Sequence, residues 1–358
     1  MSGAGGGTPD VTVVTVTYEA ADLVTACLDG LAQQRLGGLH MEVVVVDNAS
    51  TDGTAELVAA RHSDVRLLRA PRNLGFAAGN NLALRDVTSR VVILLNNDAV
   101  PEPDFVRSLV DALDEAAPEV AALAATVLLA ARFRPAGADE RNVVTGPDGR
   151  WVADRDGTTR LVNSTGNEVR TDGFGQDRGW LADAGRHRPP RAVFGVSGAA
   201  CALRTDALRD VGLFDERLFM YYEDTDLSWR LRLAGYRVEH CPGAVVSHVH
   251  AASSREGSDF FRFHDARNRL AVLTKDATAG TWLRAVGAFA LTTASVGLRR
   301  RQPWPHVRTR LRAGVSYLRM LPALLRDRHR IGRAARVPRA QVEELLVEPT
   351  PPGGAYRA

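Results

Sequence analysis

Three acids crowd four positions in "FMYYEDTDLSWRLRLAG" (residues 219–235): Glu223, Asp224 and Asp226. Carboxylates suit a helix start, where they favour the helix dipole, and Asp224 or Thr225 can cap its N–H groups. A carboxylate there can also serve as a general base that takes a proton from a hydroxyl. Four other stretches carry groups suited to chemistry. "VVVVDNASTDGT" puts Asp47 directly after an apolar run, where it can accept from a base imide or a ribose hydroxyl, or cap the turn. "VVILLNNDAVPEP" puts Asn96, Asn97 and Asp98 after another such run. Asp98 can ligate a hard divalent cation and Asn96 can bond a sugar hydroxyl, or the three can form a polar turn before Pro101. "PRNLGFAAGNN" combines Arg72 and Asn73 with Gly75 and Gly79, which permit close backbone approach. "AVVSHVHAASS" carries His248 and His250, which share one face if the segment is a strand.

These groups need elements to hold them. Val11–Thr17 reads as a strand, 20–34 as a helix, 42–46 as a strand, 54–62 as a helix, 65–69 as a strand, 76–87 as a helix and Val91–Leu95 as a strand. Strands alternating with helices predict an α/β fold with a mostly parallel, Rossmann-like sheet. Ligands of such sheets bind at the carboxyl ends of the strands. That edge holds Thr17, Tyr18, Asp47, Arg72, Asn73 and Asn96–Asp98.

Val120–Leu129 resumes a strand-like run, and 132–191 reads as an irregular insertion suited to an acceptor region. Residues 192–203 are small and apolar. Residues 236–250 read as one or two short strands broken at Cys241-Pro242-Gly243. From Ser258 onward the signals are helical and basic, with Phe260, Phe261, Phe263, Leu270, Val272 and Leu273 on an amphipathic stretch. The expected organisation is a flexible tail at 1–10, a catalytic domain at 11–257 and a helical basic region at 258–358.

The chain has 358 residues, 45% of them hydrophobic, with a net charge of +3, so a packed core is expected. The charge is uneven. Between residues 299 and 340 there are thirteen arginines, no lysine and one acid, Asp327. Such a stretch seeks an anionic partner. Cys27, Cys201 and Cys241 are few and scattered, as in a reducing compartment. The N-terminal residues lack a signal peptide's pattern, and the uncharged stretch 285–298 is too short to span a bilayer. A cytoplasmic protein, peripheral on the inner face of the cell membrane, is the expectation. There is neither a G-x-G-x-x-G after a strand nor a P-loop.

Taken in order, "VVTVTYEAADLVTACLDGLAQQ", "VVVVDNASTDGT", "RNLGFAAGNN", "LLNNDA" and "GLFDERLFMYYEDTDLSWRLRLAGYRV" resemble family 2 glycosyltransferases of the GT-A fold, in the rhamnosyltransferase-like branch. The resemblance spans residues 11–254. It implies that Thr17, Tyr18 and Asp47 hold the nucleobase with Arg72 nearby. Glu19, Asn73, Asn96 and Asn97 complete the donor site. Asp98 and His248 would flank a Mg²⁺ or Mn²⁺ ion that bridges the donor diphosphate. Asn96 replaces the first acid of the usual D-x-D pattern, and Glu19 departs from the Asn that members often carry there. Asp224 would be the general base. Glu223, Ser197 and Gly198 would meet the acceptor, and Gly195 would let the sugar approach. The absence of Q-x-x-R-W implies single addition rather than polymerisation.

The implied reaction moves a sugar, rhamnose or similar, from a dTDP- or UDP-sugar to a glycan or polyprenyl-linked acceptor in cell-envelope polysaccharide synthesis, with inversion. The arginine-rich region fits an anionic membrane surface, with a homo-oligomer contact as its alternative. No nucleic-acid motif accompanies the charge. Two other classes stay in view. A sugar-phosphate nucleotidyltransferase would want a basic Gly-rich loop after the first strand, which is missing. A non-catalytic scaffold would have no use for Asp98, Asp224 and His248 together.

Overall fold

The computed structural model describes residues 8–249, 257–298 and 303–349. Residues 1–7 of the expected tail, His250, the arginines at 299–301 and the last nine residues lie outside the described residues.

The first half alternates as expected: β1 (Val11–Thr17), α1 (Ala21–Ala32), β2 (Met41–Asp47), α2 (Thr54–Arg61), β3 (Arg66–Arg69), α3 (Gly75–Leu84) and β4 (Val91–Leu95). Then come β5 (Ala99–Pro101), α4 (Phe105–Glu115) and β6 (Val120–Leu129). Six short strands follow: β7 (Phe133–Pro135), β8 (Val144–Gly146), β9 (Gly149–Ala153), β10 (Val162–Ser164), β11 (Asn167–Val169) and β12 (Gly175–Asp177). The rest is β13 (Ala200–Arg204), α5 (Thr205–Val211), α6 (Glu223–Leu233), β14 (Arg237–His248), α7 (Asp259–Asp276), α8 (Ala279–Leu298), α9 (Trp304–Ala334) and α10 (Arg339–Glu343).

The main sheet runs β3-β2-β1-β4-β13-β6-β14-β5, with β10 added beside β6. Strands β1, β2, β3, β4, β6 and β14 point one way, and β5, β10 and β13 point the other. Because β13 is reversed, its entry lies at the same edge as the exits of β1, β2 and β4. That edge therefore collects Ser197–Ala199 together with Thr17, Asn48 and Asn96–Asp98.

Side-chain alternation sends Val11, Val13 and Ile93 into one core layer with Leu28, Phe105 and Leu109. Val14, Val92 and Leu94 enter the opposite layer with Leu227 and Leu231 of α6. A third cluster joins Trp229 and Leu233 of α6 to Leu270 and Leu273 of α7 and Tyr317 and Leu324 of α9.

Two local expectations differ from the structure. The stretch 132–191 is built rather than irregular. Strands β7, β9 and β8 form a small antiparallel sheet, and β11 and β12 form a hairpin. Phe133, Val144, Trp151, Leu161 and Leu181 close a separate cluster beneath them. Strands of three to five residues are too short to print a hydrophobic period, which explains the misreading. Residues 236–250 contain one strand, β14, whose register shifts between Cys241 and Val245 while pairing continues.

Helix α7 also departs from simple amphipathicity, because polar residues share its buried side. Lys275 is buried and its Nζ lies 2.8 Å from Asp215 Oδ2; it also pairs with Asp226 of α6. Asp226 is fully buried and accepts from Arg230 Nε at 2.9 Å, an i,i+4 pair along α6. Burial alone would raise the Asp226 pKa, but Lys275 and Arg230 outweigh it and hold the group below the ordinary range. Lys275→Met would leave two buried carboxylates sharing arginines only. Removing one member of a buried ion pair is strongly destabilising, so we expect a loss of about 3 kcal/mol in denaturant unfolding. Wild-type stability would exclude this bridge as the tie between α6 and α7.

Candidate active site

A cavity of about 470 Å³ opens at the shared edge. One wall is Thr17, Tyr18, Asn48, Asn73, Gly75 and Asn96–Asp98; the far wall includes Ser197–Ala199, Glu223 and Asp224. Buried amides hold the first wall. Asn48 donates through Nδ2 to Gly75 O at 3.0 Å and accepts from Leu74 N at 3.1 Å, tying the end of β2 to the start of α3. Asn97 Nδ2 donates to Thr17 Oγ1 at 3.1 Å, tying β4 to β1. Gly75 has φ +78°, and a Cβ there would come within 2.6 Å of the Phe219 ring and its carbonyl oxygen. Only glycine satisfies both limits.

The far wall begins in a strained loop. Phe219, Tyr221 and Tyr222 have φ of 67°, 70° and 70°, immediately before Glu223 and Asp224. Non-glycine residues in this region cost on the order of 1–3 kcal/mol each unless their surroundings hold them. Helix α7 does so. Asn268, fully buried, aims Nδ2 at the carbonyls of Leu218, Met220 and Tyr221 at 2.8, 2.9 and 2.7 Å. Arg267 Nη2 donates to Arg217 O and Leu218 O at 3.0 and 2.9 Å.

That loop places the acids. Asp224 Oδ2 accepts from Gly198 N at 3.1 Å, and Oδ1 accepts from Thr225 N at 2.6 Å. Burial raises the Asp224 pKa, although these donors pull it down. Glu223 is buried, and burial followed by the Asp224 charge pushes it well above the ordinary carboxylate range. The two neighbours are thus unlike: Asp224 carries donors that favour its charged form, and burial disfavours the charged form of Glu223.

At the other end, His248 Nε2 lies 3.0 Å from Asp98 Oδ1, and His248 Nδ1 lies 2.7 Å from Asn163 Oδ1. Asp98 and His248 are both buried and both line the cavity. One carboxylate oxygen and one imidazole nitrogen side by side form a donor pair that suits Mn²⁺, with Mg²⁺ tolerated through oxygen. No cluster of three or more His, Cys, Asp or Glu suited to a metal occurs among the described residues. Such a pair leaves coordination positions for phosphate oxygens and water, a mode common for these cations at phosphate sites.

Sequence comparison now decides the family. The model of "Glycosyl transferase family 2" matches residues 12–137, and that of "Glycosyl transferase family group 2" matches 171–271. An N-acetylglucosaminyl-diphospho-decaprenol L-rhamnosyltransferase of Mycobacterium tuberculosis is 30% identical over 258 residues, 68% of this chain and 76% of the relative. The chain is a family 2 glycosyltransferase. A pre-mycofactocin glycosyltransferase from Mycobacterium tuberculosis is also similar, 29% identical over 62% of this chain and 40% of the relative. Among solved structures, GalNAc-T7 with UDP, GalNAc and Mn²⁺ superposes with a TM-score of 0.54 at 14% identity, covering 75% of this chain and 48% of that one. Staphylococcus aureus TarS 1-349 gives 0.50 at 16% identity, covering 94% and 90%. At these identities the likeness concerns the GT-A fold alone.

In this glycosyltransferase, Thr17, Tyr18, Asn73, Asn96, Asn97, Asp98, Ser197, Gly198, Glu223, Asp224 and His248 all line one cavity. Glu19, Asp47 and Arg72 do not. Glu19 has φ 49° and accepts from Thr51 N and Oγ1 at 2.8 and 3.0 Å, bracing the loops after β1 and β2. Asp47 is buried and accepts from Ser50 N at 3.3 Å, the turn-capping geometry. Arg72 is exposed. Gly195 serves packing, since a Cβ there would meet Ser228 Oγ at 2.4 Å.

Sequence reading missed Asn163 and Asp177, which reach the cavity from β10 and β12, and Phe219, Tyr221, Phe260 and Phe261, which wall it. The aromatic doublet at 260–261 was visible; nothing local marked Asn163. Asn268 was missed as well. Asn268→Ala should free the 219–222 loop, costing about 1–3 kcal/mol of stability. It should also lower transferase kcat, because the loop leads directly into Asp224. An unaltered kcat in folded protein would show that the loop keeps its shape without the amide.

Proposed function

We propose that the chain is an inverting, metal-assisted glycosyltransferase with Asp224 as general base. It would take a sugar such as rhamnose from a dTDP- or UDP-sugar to a hydroxyl of a glycan or polyprenyl-linked acceptor in cell-envelope polysaccharide synthesis. One observation carries the reading: Asp224, held by Gly198 N, shares a single cavity with the Asp98–His248 pair. A base and a diphosphate-binding centre facing one space are what direct displacement at a sugar carbon needs. The donor sugar is assigned by similarity to the relative named as a rhamnosyltransferase.

The nucleoside diphosphate lies along Thr17, Tyr18, Asn73 and Asn96–Asp98. Asp47 and Arg72 reach the base only if their side chains leave their present positions. Asp98 and His248 would hold the cation, which when bound neutralises charge on the leaving diphosphate. Asn163 keeps the His248 ring oriented through Nδ1. Glu223, whose pKa burial raises, would meet an acceptor hydroxyl while Asp224 accepts the proton of the attacking one. Gly198 N steadies the Asp224 carboxylate in its charged form. Attack on the anomeric carbon breaks its bond to the diphosphate oxygen, and the proton leaves on Asp224. The aromatic wall of Phe219, Tyr221 and Phe260 offers a face for a sugar ring or the first apolar units of a lipid carrier. A peripheral position at the inner membrane face belongs to the same reading.

Asp224→Asn should lower turnover by about 10²–10⁴-fold while donor affinity holds. Unchanged turnover would remove Asp224 as the base. Its pKa is raised, so the base form is lost at a higher pH than for an ordinary carboxylate. The acid limb of kcat/KM should therefore fall above the usual Asp range, and that limb should disappear in Asp224→Asn. Asp98→Ala should abolish the increase in donor affinity that Mn²⁺ gives in calorimetry. Equal Mn²⁺ enhancement in the variant would exclude Asp98 as a ligand.

A further inference from the structure

The outer surface of α8 and α9 is built unlike the rest of the molecule. Along α9, Leu311, Val315, Leu318, Pro322 and Leu325 are exposed, at spacings of 4, 3, 4 and 3 residues. Such spacing keeps a stripe straight along a long helix. Leu318 is 61% exposed. Arg308, Arg312, Arg319, Arg326 and Arg330 are exposed beside this stripe. The one acid of the helix, Asp327, is engaged with Arg217 and Arg330.

Helix α8 packs against α9, with Arg310 over the Phe289 ring at 4.8 Å and Trp282 Nε1 bonded to Tyr317 Oη at 2.9 Å. Its uncovered side carries Leu283, Gly287, Ala290, Leu291 and Ala294, and Arg284 is the only charged residue in the helix. Leu291 is 75% exposed. Two adjacent helices therefore present an apolar face, edged on one flank by arginines. No helix among the described residues is long and apolar enough to cross a membrane.

We infer that this α8–α9 face is a docking surface for an anionic lipid bilayer, on which both helices lie in the plane of the headgroups. Apolar residues enter the acyl boundary while the arginines meet lipid phosphates. A second copy of the chain is the poorer occupant. A two-fold contact through this face would set its arginine rows close to their own copies, with no exposed acid on the face to pair them. The surface also stands next to the cavity. Arg312 lies over the Phe263 ring at 5.8 Å, on the same first turns of α7 whose Phe260 and Phe261 wall the active site. Docking would thus bring the acceptor end of the cavity to the headgroup layer. This last step rests on the proposed lipid-linked acceptor; the surface itself does not.

The test is co-flotation of the full-length protein with vesicles of phosphatidylcholine alone or with about one-third phosphatidylglycerol, without donor, metal or acceptor. Because no turnover is read, its outcome is independent of the transferase reading. We expect at least roughly tenfold stronger binding to the anionic vesicles, weakened by high salt. Leu311→Glu/Leu318→Glu should abolish binding, and Arg308→Gln/Arg319→Gln/Arg326→Gln should remove the preference for anionic lipid. All five positions are exposed, and circular dichroism checks that each variant keeps its fold. Equal binding to both vesicle types would overturn the inference, as would wild-type binding by the leucine variant. So would a wild-type dimer on light scattering that the leucine variant splits, because the face would then belong to a second copy.

Discussion

The buried bridge from Lys275 to Asp215 and Asp226 is the constraint on which the catalytic half depends. Helix α6 must deliver two carboxylates from its first turn into the cavity. It reaches that place through three residues with positive φ, a path with little intrinsic stability. Helix α7 compensates twice. Lys275 fixes α6 by charge, and Asn268 and Arg267 fix the loop by donating to its carbonyls. Arg230 closes the arrangement by joining Asp226 to the carbonyls of Val211, Gly212 and Leu213.

Side chains also brace the opposite wall. They add to the backbone pairing that already joins the end of β1 to that of β2. Asn48 and Asn97 make the joins, each amide bonding to a neighbouring segment. This bears on the missing first acid of the usual pattern. The asparagines after β4 are not all spare ligands, because Asn97 is committed to Thr17. Asp98 is then the carboxylate that faces His248, and a single carboxylate with an imidazole differs from an acid pair. It carries less negative charge than two carboxylates would.

Much of this was legible in the sequence. The β1–β4 rhythm and the strand ends could be read from apolar periodicity, and the family from five motifs standing in order. What stayed hidden had no local signature. Strands β7, β8, β10, β11 and β12 are three residues long, below the length at which alternation is visible, yet β10 and β12 bring Asn163 and Asp177 to the cavity. Asn268 and Lys275 look like ordinary solvent-facing residues of a basic helix. Their burial is a tertiary fact, created by the carbonyls and carboxylates of a segment some fifty positions earlier. Asp47 and Glu19, which the resemblance implies in the donor site, have neighbouring loops as their partners in the structure.

Helix α7 joins the cavity to the basic helix α9. One side of it holds the loop that aims Asp224, and another packs along α9, whose far side carries the arginines. The contacts run Thr274 Oγ1 to Tyr317 Oη at 2.9 Å and Arg328 Nη1 to the carbonyls of Thr274 and Ala277 at 2.8 and 2.7 Å. Both sets are buried or half-buried, so α7 and α9 move as one packed unit rather than as body and appendage. The packing thus links the arginine-bearing helix α9, through α7, to the loop that holds Asp224 at the cavity.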